Sequence, residues 1–435
     1  MNIRFYNARI LSMDGSCDIV SGELWVQGNK ILYIGNGTDT DRIYKKQPGN
    51  IIKWDREIDA KNNLLMPGFK DAHTHTAMTF LRSYADDLPL AEWLNNQVFP
   101  KEALLTPDDI YLLTKHGIME YLTSGITSGF DMYMKMGSGA QAAIETGFRY
   151  VLCDAINDFG GTVEEMEESY TKYNNMHELI SYVYGFHAEY TTSLNIMEGI
   201  AGLAEKYKAP VYMHNSETKS EVEGCIDRYG KTPTQLFNDL GIYNYGGGGF
   251  HCVWMSDEDI EIFKKRGLYA VTNPASNTKL ASGIAPIQRY MDEGVNLAIG
   301  TDGAASNNCL DMFREMFLMT GLGKLREMDA SAVPAEKVLE AATVGGARAM
   351  GLNDADVLAE GKLADIIMID MHQPNMQPEN NIVKNIVYSG SKQNVKMTMI
   401  NGNILYEDMQ FNIGIEPEEV YSQANAIIKR MISQS

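Results

Sequence analysis

A chain of 435 residues with 44% hydrophobic content and 13 prolines is long enough for a large core plus a satellite unit, and it lacks the polar bias of a disordered chain. Its 57 acidic against 37 basic residues, a formal net charge of −20, disfavour nucleic acid and anionic membrane surfaces and leave a small molecule as the expected partner. Cys17, Cys153, Cys225, Cys252 and Cys309 are scattered and form no CxxC pair, and the N-terminal MNIRFYNARILSMDG offers neither a signal-peptide core nor a membrane run, so a soluble cytoplasmic protein is expected.

Residues 1–65 read as short strands and turns, GELWVQG and KILYIGNG among them, which make half of a small β unit. Over residues 66–360, strand-like runs alternate with amphipathic stretches such as PDDIYLLTKHGIMEYLTSG, the pattern of a parallel α/β fold. Eight such runs end, in order, at His73 and His75, Asp131, Asp154, His187, His214, His251, Asn273 and Asp302. Polar groups at the C-terminal ends of eight strands mark the catalytic face of a (β/α)8 TIM barrel. The glycine run at 246–249 lacks the lysine and hydroxyl of a phosphate loop and reads as a flexible lead-in to the sixth strand. Residues 361–411, with GKLADIIMIDM and VKMTMINGNILYED, return to the texture of the start, so both chain ends are expected to build one small β-sandwich. Residues 412–435 predict a packing helix with Ile413, Val420 and Ile427 among its apolar positions.

In an extended strand, residues two apart share a side, so His73 and His75 can present both imidazoles to one ion. Alone, such a pair is as readily two packing histidines. His214 adds a nitrogen and Asp302 an oxygen, a mixed set suited to one divalent first-row metal with an open position for water: zinc first, then Fe2+ or Mn2+. A two-metal site would want a bridging group, often a modified lysine, at the end of the fourth strand. His187 stands there, so a single ion is expected, with His187 turned to the substrate or, alternatively, satisfied beneath the site.

Glu217, three residues after His214, is the candidate proton shuttle; its rival reading is a helix-capping glutamate, since Ser216 and Thr218 are good N-cap residues. His251 in FHC can steady the attacking hydroxide and the developing alkoxide, with core packing as the alternative. Asp302 in GTDGAASNN can take the water's proton, or serve as a turn aspartate.

The stretches MPGFKDAHTHTAMTFLRSYADDLPLAEWL, HNSET, FHC, NPASNTKLASGIAPIQR, IGTDGAASNN and GKLADIIMID resemble the amidohydrolase superfamily and, within it, the methylthioadenosine/S-adenosylhomocysteine deaminases. The resemblance implies hydrolytic deamination at the 6-position of an adenine ring. It also implies ribose binding by Glu102 in VFPKE, a pocket lined by Trp93 in AEWL, contact of His187 with base or ribose, and a homo-oligomer. Relatives that accept an amino-acid tail often carry arginines after the third strand, where this chain has Asp154 and Thr162. S-adenosylhomocysteine is therefore expected to be a poorer substrate than methylthioadenosine, 5′-deoxyadenosine or adenosine, a buried and paired Asp154 being the alternative. Thr272 stands where some relatives place a histidine, which leaves ring contacts from the seventh strand open. The rival functions are hydrolysis of another aminated heterocycle (guanine, a pterin, a triazine) and a metal-binding barrel without turnover. The second would lack a shuttle, and Glu217, His251 and Asp302 are all present.

Overall fold

The computed structural model describes residues 1–38, 40, 43 and 52–433. Five strands come first: β1 (Asn2–Leu11), β2 (Ile19–Gln27), β3 (Lys30–Gly35), β4 (Arg56–Asp59) and β5 (Leu64–Pro67). The barrel follows as β6 (Phe69–Thr74), β7 (Ile126–Met132), β8 (Arg149–Cys153), β9 (Ile180–Ala188), β10 (Val211–Asn215), β11 (Gly247–His251), β12 (Tyr269–Thr272) and β13 (Asn296–Ile299). These eight strands pair in sequence order and parallel, and they are the eight runs expected from the alternation of apolar strands and amphipathic helices. Past the end of β13, the Asp302 N–H donates to the His73 carbonyl at 2.9 Å and the Thr301 N–H to Asp71 Oδ1 at 2.7 Å. Those bonds bring the last strand against the first. Phe130, Tyr212, Phe250, Val271 and Ala298, each from a different strand, meet in one buried cluster, the filled interior of a small barrel.

The glycine run corrects an expectation. Gly247, Gly248 and Gly249 are the sixth strand itself, fully buried. A Cβ at Gly247 would sit 2.0 Å from the Val211 carbonyl oxygen, and one at Gly248 would sit 2.2 Å from that of Tyr269. Close strand approach, with φ of +114° at Gly247, requires glycine there; flexibility does not come into it.

The chain ends meet as expected. β14 (Ile366–Ile369) pairs antiparallel with β5, and β15 (Val395–Ile400), β16 (Asn403–Glu407) and β17 (Gln410–Phe411) extend the sheet. The result is a single nine-stranded sheet rolled about one core of Ile3, Phe5, Leu24, Leu65, Ile366 and Met397. Its two faces join where Ile31 N–H donates to the Lys362 carbonyl and Ala364 N–H to that of Asn29, both at 2.9 Å.

The helix Pro107–Thr123 begins on a reciprocal capping box between Thr106 and Asp109, with proline in the first turn, so its start is written in TPDD. The final helix, Pro417–Ser433, buries Val420, Ala424, Ile427 and Met431. It lies on that earlier helix, and Arg430 grips Asp109 at 2.6 and 3.1 Å. Ile413 is buried but precedes the helix, and residues 434–435 lie outside the described residues. Among the described residues, no helix is long and apolar enough to cross a membrane.

Candidate active site

The C-terminal ends of the strands converge as the barrel geometry requires. One donor atom from each of His73, His214, His251 and Asp302 lies within 4.8 Å of the others. His75 joins them: its Nε2 is 3.2 Å from Asp302 Oδ1, and that of His73 is 3.5 Å from the same oxygen. β6 ends at Thr74, so His75 sits just past the strand, at the entry to a 3-10 turn. The pairing of β6 with β7 is irregular between Asp71 and Thr74, and the two imidazoles stand edge to face with centroids 4.8 Å apart.

Hydrogen bonds around the cluster define which ring nitrogen points inward. His75 Nδ1–H donates to the Met132 carbonyl at 2.6 Å and His214 Nδ1–H to that of His187 at 2.7 Å. Carbonyls only accept, so in each ring Nδ1 carries a proton and Nε2 is the nitrogen turned to the centre. His251 Nδ1 is 2.8 Å from Asn277 Oδ1, which leaves its Nε2 in the same state. His73 is fully buried, stacked on Phe250 with centroids 3.8 Å apart, and neither of its ring nitrogens has a hydrogen-bond partner. An orphaned buried polar group costs about 1–3 kcal/mol, and a divalent cation is what this donor set fits.

Charge follows the same logic. Burial pushes His73 down to about 3 and His187 down to about 4, so both are neutral near pH 7. Burial also opposes charge on His75, but the facing Asp302 outweighs it and lifts His75 to about 9. Asp302 is held well below the ordinary carboxylate range, because the His73 and His75 rings overcome its burial. Its Oδ2 accepts from Ser276 Oγ at 2.6 Å and Ser306 Oγ at 2.8 Å, leaving Oδ1 for the centre.

Glu217 does not cap the helix that follows it. Thr218 is the N-cap of the helix Lys219–Tyr229, and its reciprocal partner is Glu221, which also accepts from the backbone N–H of Ser216 and Glu217 at 2.9 and 2.8 Å. With capping done by Glu221, the Glu217 carboxyl turns to the cavity. Ser282 Oγ donates to its Oε1 at 3.0 Å, and its Oε2 is 3.8 Å from His251 Nε2. Burial foremost raises the Glu217 carboxyl.

His75, His214, Glu217, His251 and Asp302 line a cavity of about 1160 Å³ that also includes Trp93, Glu102, Asp154 and His187. Glu102 is buried beside the Tyr133 hydroxyl, so it is no solvated loop charge. His187 Nδ1 is 2.8 Å from Thr191 Oγ1, whose own proton goes to the Ala188 carbonyl at 3.2 Å. His187 therefore donates through Nδ1 and offers Nε2 as an acceptor. Asp154 bonds the Tyr182 hydroxyl and is pushed up to about 6 by burial. Thr272 is buried at the end of β12 and does not line the cavity.

Four side chains were not singled out from sequence: Ser276, Asn277, Ser282 and Ser306, which hold Asp302, His251 and Glu217. Their signal lay inside NPASN, LASG and DGAASNN. Short polar residues beside a ligand are indistinguishable from turn formers until the strands are closed. Backbone strain also gathers here: Ser216, His251, Cys252 and Asp302 have φ of +52°, +70°, +48° and +58°, where side-chain-bearing residues cost about 1–3 kcal/mol each.

A buried histidine and carboxylate cluster at the mouth of a TIM barrel, with a shuttle-competent acid beside an open cavity, defines a metal-dependent hydrolase. The family model described as the amidohydrolase family matches residues 64–405, and the chain belongs to that family. It is 35% identical over 440 residues to a 5-methylthioadenosine/S-adenosylhomocysteine deaminase of Caldanaerobacter subterraneus subsp. tengcongensis, covering 99% of each chain. It is likewise 35% identical over 438 residues to a 5′-deoxyadenosine deaminase of Methanosarcina mazei, with 98% of each chain covered. Among solved structures, an adenosine deaminase from Xanthomonas campestris with bound zinc superposes with a TM-score of 0.92 at 29% identity, over 99% of this chain and 98% of that one.

Proposed function

We propose that the protein is a metal-dependent hydrolytic deaminase of adenosine-type nucleosides, such as methylthioadenosine, 5′-deoxyadenosine and adenosine, yielding the inosine analogue and ammonia. The observation that carries the reading is the convergence of His73, His75, His214 and Asp302 on one centre faced by Glu217 and His251. The names of the relatives support the adenosine-type substrate. In this reading one zinc ion is held by those four ligands. Bound there, a divalent ion supplies Lewis acidity and an acidic water near neutral pH.

The chain's own residues then divide the proton work. Asp302 receives the proton of the attacking water. His251, committed through Nδ1 to Asn277, turns its Nε2 lone pair to the attacking oxygen and orients it. Glu217, whose carboxyl burial pushes upward, donates a proton to the ring nitrogen beside the attacked carbon, so negative charge does not build on the ring. The proton held by Asp302 passes to the amino group, ammonia leaves, and the hydroxyl left on the attacked carbon gives up its remaining proton to restore Glu217, which yields the keto product. Glu102 and His187 take the ribose hydroxyls, and Trp93 covers the nucleoside. A homo-oligomer in the cytoplasm is part of the same reading.

Incubating metal-analysed protein with a panel of adenosines and other amino-heterocycles, while following ammonia and the ultraviolet spectrum, tests it. Adenine nucleosides should give the hypoxanthine spectrum with one ammonia each. Zinc-loaded protein that released none from any of them would sink the proposal.

A further inference from the structure

We infer that the part of the cavity walled by the loop after β8 and the helix that follows it is a subsite for a protonated amine on the 5′ substituent of the nucleoside, read by Asp154. The inference rests on the deaminase reading above. It begins from size. Small-molecule sites occupy about 300–1000 Å³, and this cavity, at about 1160 Å³, has more room than a nucleoside fills. The lining takes in the loop after β8, with Asp154 and Ile156, and the helix Val163–Tyr173 that follows it, with Glu165 and Tyr173.

Asp154 is built to meet a ligand. Its Oδ2 accepts from the hydroxyl of Tyr182, a residue buried on β9, which fixes the carboxylate in place. Among the described residues, none donates to its Oδ1. Glu165, the second carboxylate of this wall, adds repulsion rather than relief. Lys135 is the one lysine or arginine among the described residues lining the cavity; its charge acts on Glu102 and is not among those acting on Asp154. A half-buried carboxylate with an open oxygen, a second carboxylate nearby and no facing cation lacks an N–H donor of positive charge. An ammonium at the end of a short 5′ tail supplies it, and Ile156 and Tyr173 cover the methylenes of the tail. A carboxylate tail meets two like charges instead.

The test compares kcat/KM of the zinc-loaded full-length enzyme for methylthioadenosine and for two thioether analogues of equal tail length, one ending in a primary amine and one in a carboxylate. The amine analogue should exceed methylthioadenosine at least tenfold, chiefly through KM, and the carboxylate analogue should fall at least tenfold below it. Asp154→Asn should collapse the amine-to-carboxylate ratio at least tenfold, and Asp154→Arg should invert it. Ratios within one preparation do not depend on the folded fraction, and should the arginine variant not fold, the isosteric asparagine variant decides. Equal efficiency for the two tails, or a ratio unchanged in Asp154→Asn, overturns the subsite. Turnover of methylthioadenosine without tail discrimination removes the subsite alone. Zinc-loaded enzyme that deaminates no adenine nucleoside removes the deaminase reading and the subsite with it.

Discussion

The two ends of the barrel both bury charge, and they do it in opposite ways. At the N-terminal end, where the barrel meets the rolled sheet, Arg149 clasps Asp365 with two bonds of 2.7 and 3.0 Å, and the same carboxylate accepts from Asn401 N–H at 2.8 Å. Lys70 beside them donates to Thr127 Oγ1 at 2.6 Å. At the C-terminal end, His73 has no partner, and strained backbone holds His251 and Asp302. Buried charge that is satisfied joins two units of the fold. Buried polar groups left open beside strained backbone mark where a ligand belongs.

If the comparison is right, removing metal is the largest perturbation available. Chelator treatment should abolish deamination, and zinc should restore it. The apo-protein should also melt lower, because a ligand that binds only the folded state stabilises it. Scanning calorimetry that found identical midpoints with and without zinc would contradict the assignment of the histidine cluster to an ion. Next in size is Glu217→Gln. It keeps the shape and the Ser282 contact but cannot shuttle a proton, so kcat should fall about 10²–10⁴-fold while zinc content matches that of the parent. Normal turnover in that variant would remove Glu217 from the mechanism.

The N-terminal end answers to a different assay. Asp365→Ala leaves Arg149 buried and unpaired, which typically costs about 3–5 kcal/mol. Denaturant unfolding should record that loss, while the kcat of the folded fraction changes little. A large kcat effect with unchanged stability would mean that the two ends are coupled. Smaller again is Ser276→Ala with Ser306→Ala. Together these hydroxyls hold Oδ2 of Asp302, and freeing it should lower kcat about tenfold and weaken zinc retention, as loss of an outer partner of a ligand does.

Much of this was legible in the chain. The eight strand ends were readable because apolar runs ending in His, Asp or Asn alternate with capped amphipathic helices, and this periodicity survives folding. His75 and Glu217 were readable by spacing from His73 and His214. The rest depended on closure. Glu221, not Glu217, caps its helix, a choice between two glutamates that sequence cannot make. The glycine run looked loose because it has no side chains, whereas the reason for it is the carbonyls of β10 and β12 on either side. Ser276 and Ser306 are far apart in the chain and converge on one oxygen only once β12 and β13 have paired.

The smallest effect tests whether Asp154 truly belongs with the open groups. Burial raises its carboxyl from 3.8 to about 6, so the folded state prefers the protonated form. The stability this confers is complete below about pH 4 and is lost as pH rises through about 6, since the folded chain must then hold an unpaired carboxylate. An asparagine does not titrate. Asp154→Asn should therefore match the parent near pH 4 and be more stable above pH 6. A shift of about 2 units corresponds to about 3 kcal/mol, and partial exposure to solvent trims the expected gain to about 1–2 kcal/mol. Unfolding free energies of the two zinc-loaded proteins at pH 5 and pH 7.5 measure the gap directly, because metal loss at the lower pH affects both alike. A gap that widens with pH places Asp154 among the unsatisfied groups of the catalytic mouth. A gap that reverses, with aspartate the more stable at pH 7.5, would mean that a cation of the chain already pairs with it, and Asp154 would then belong with Asp365 as structural charge.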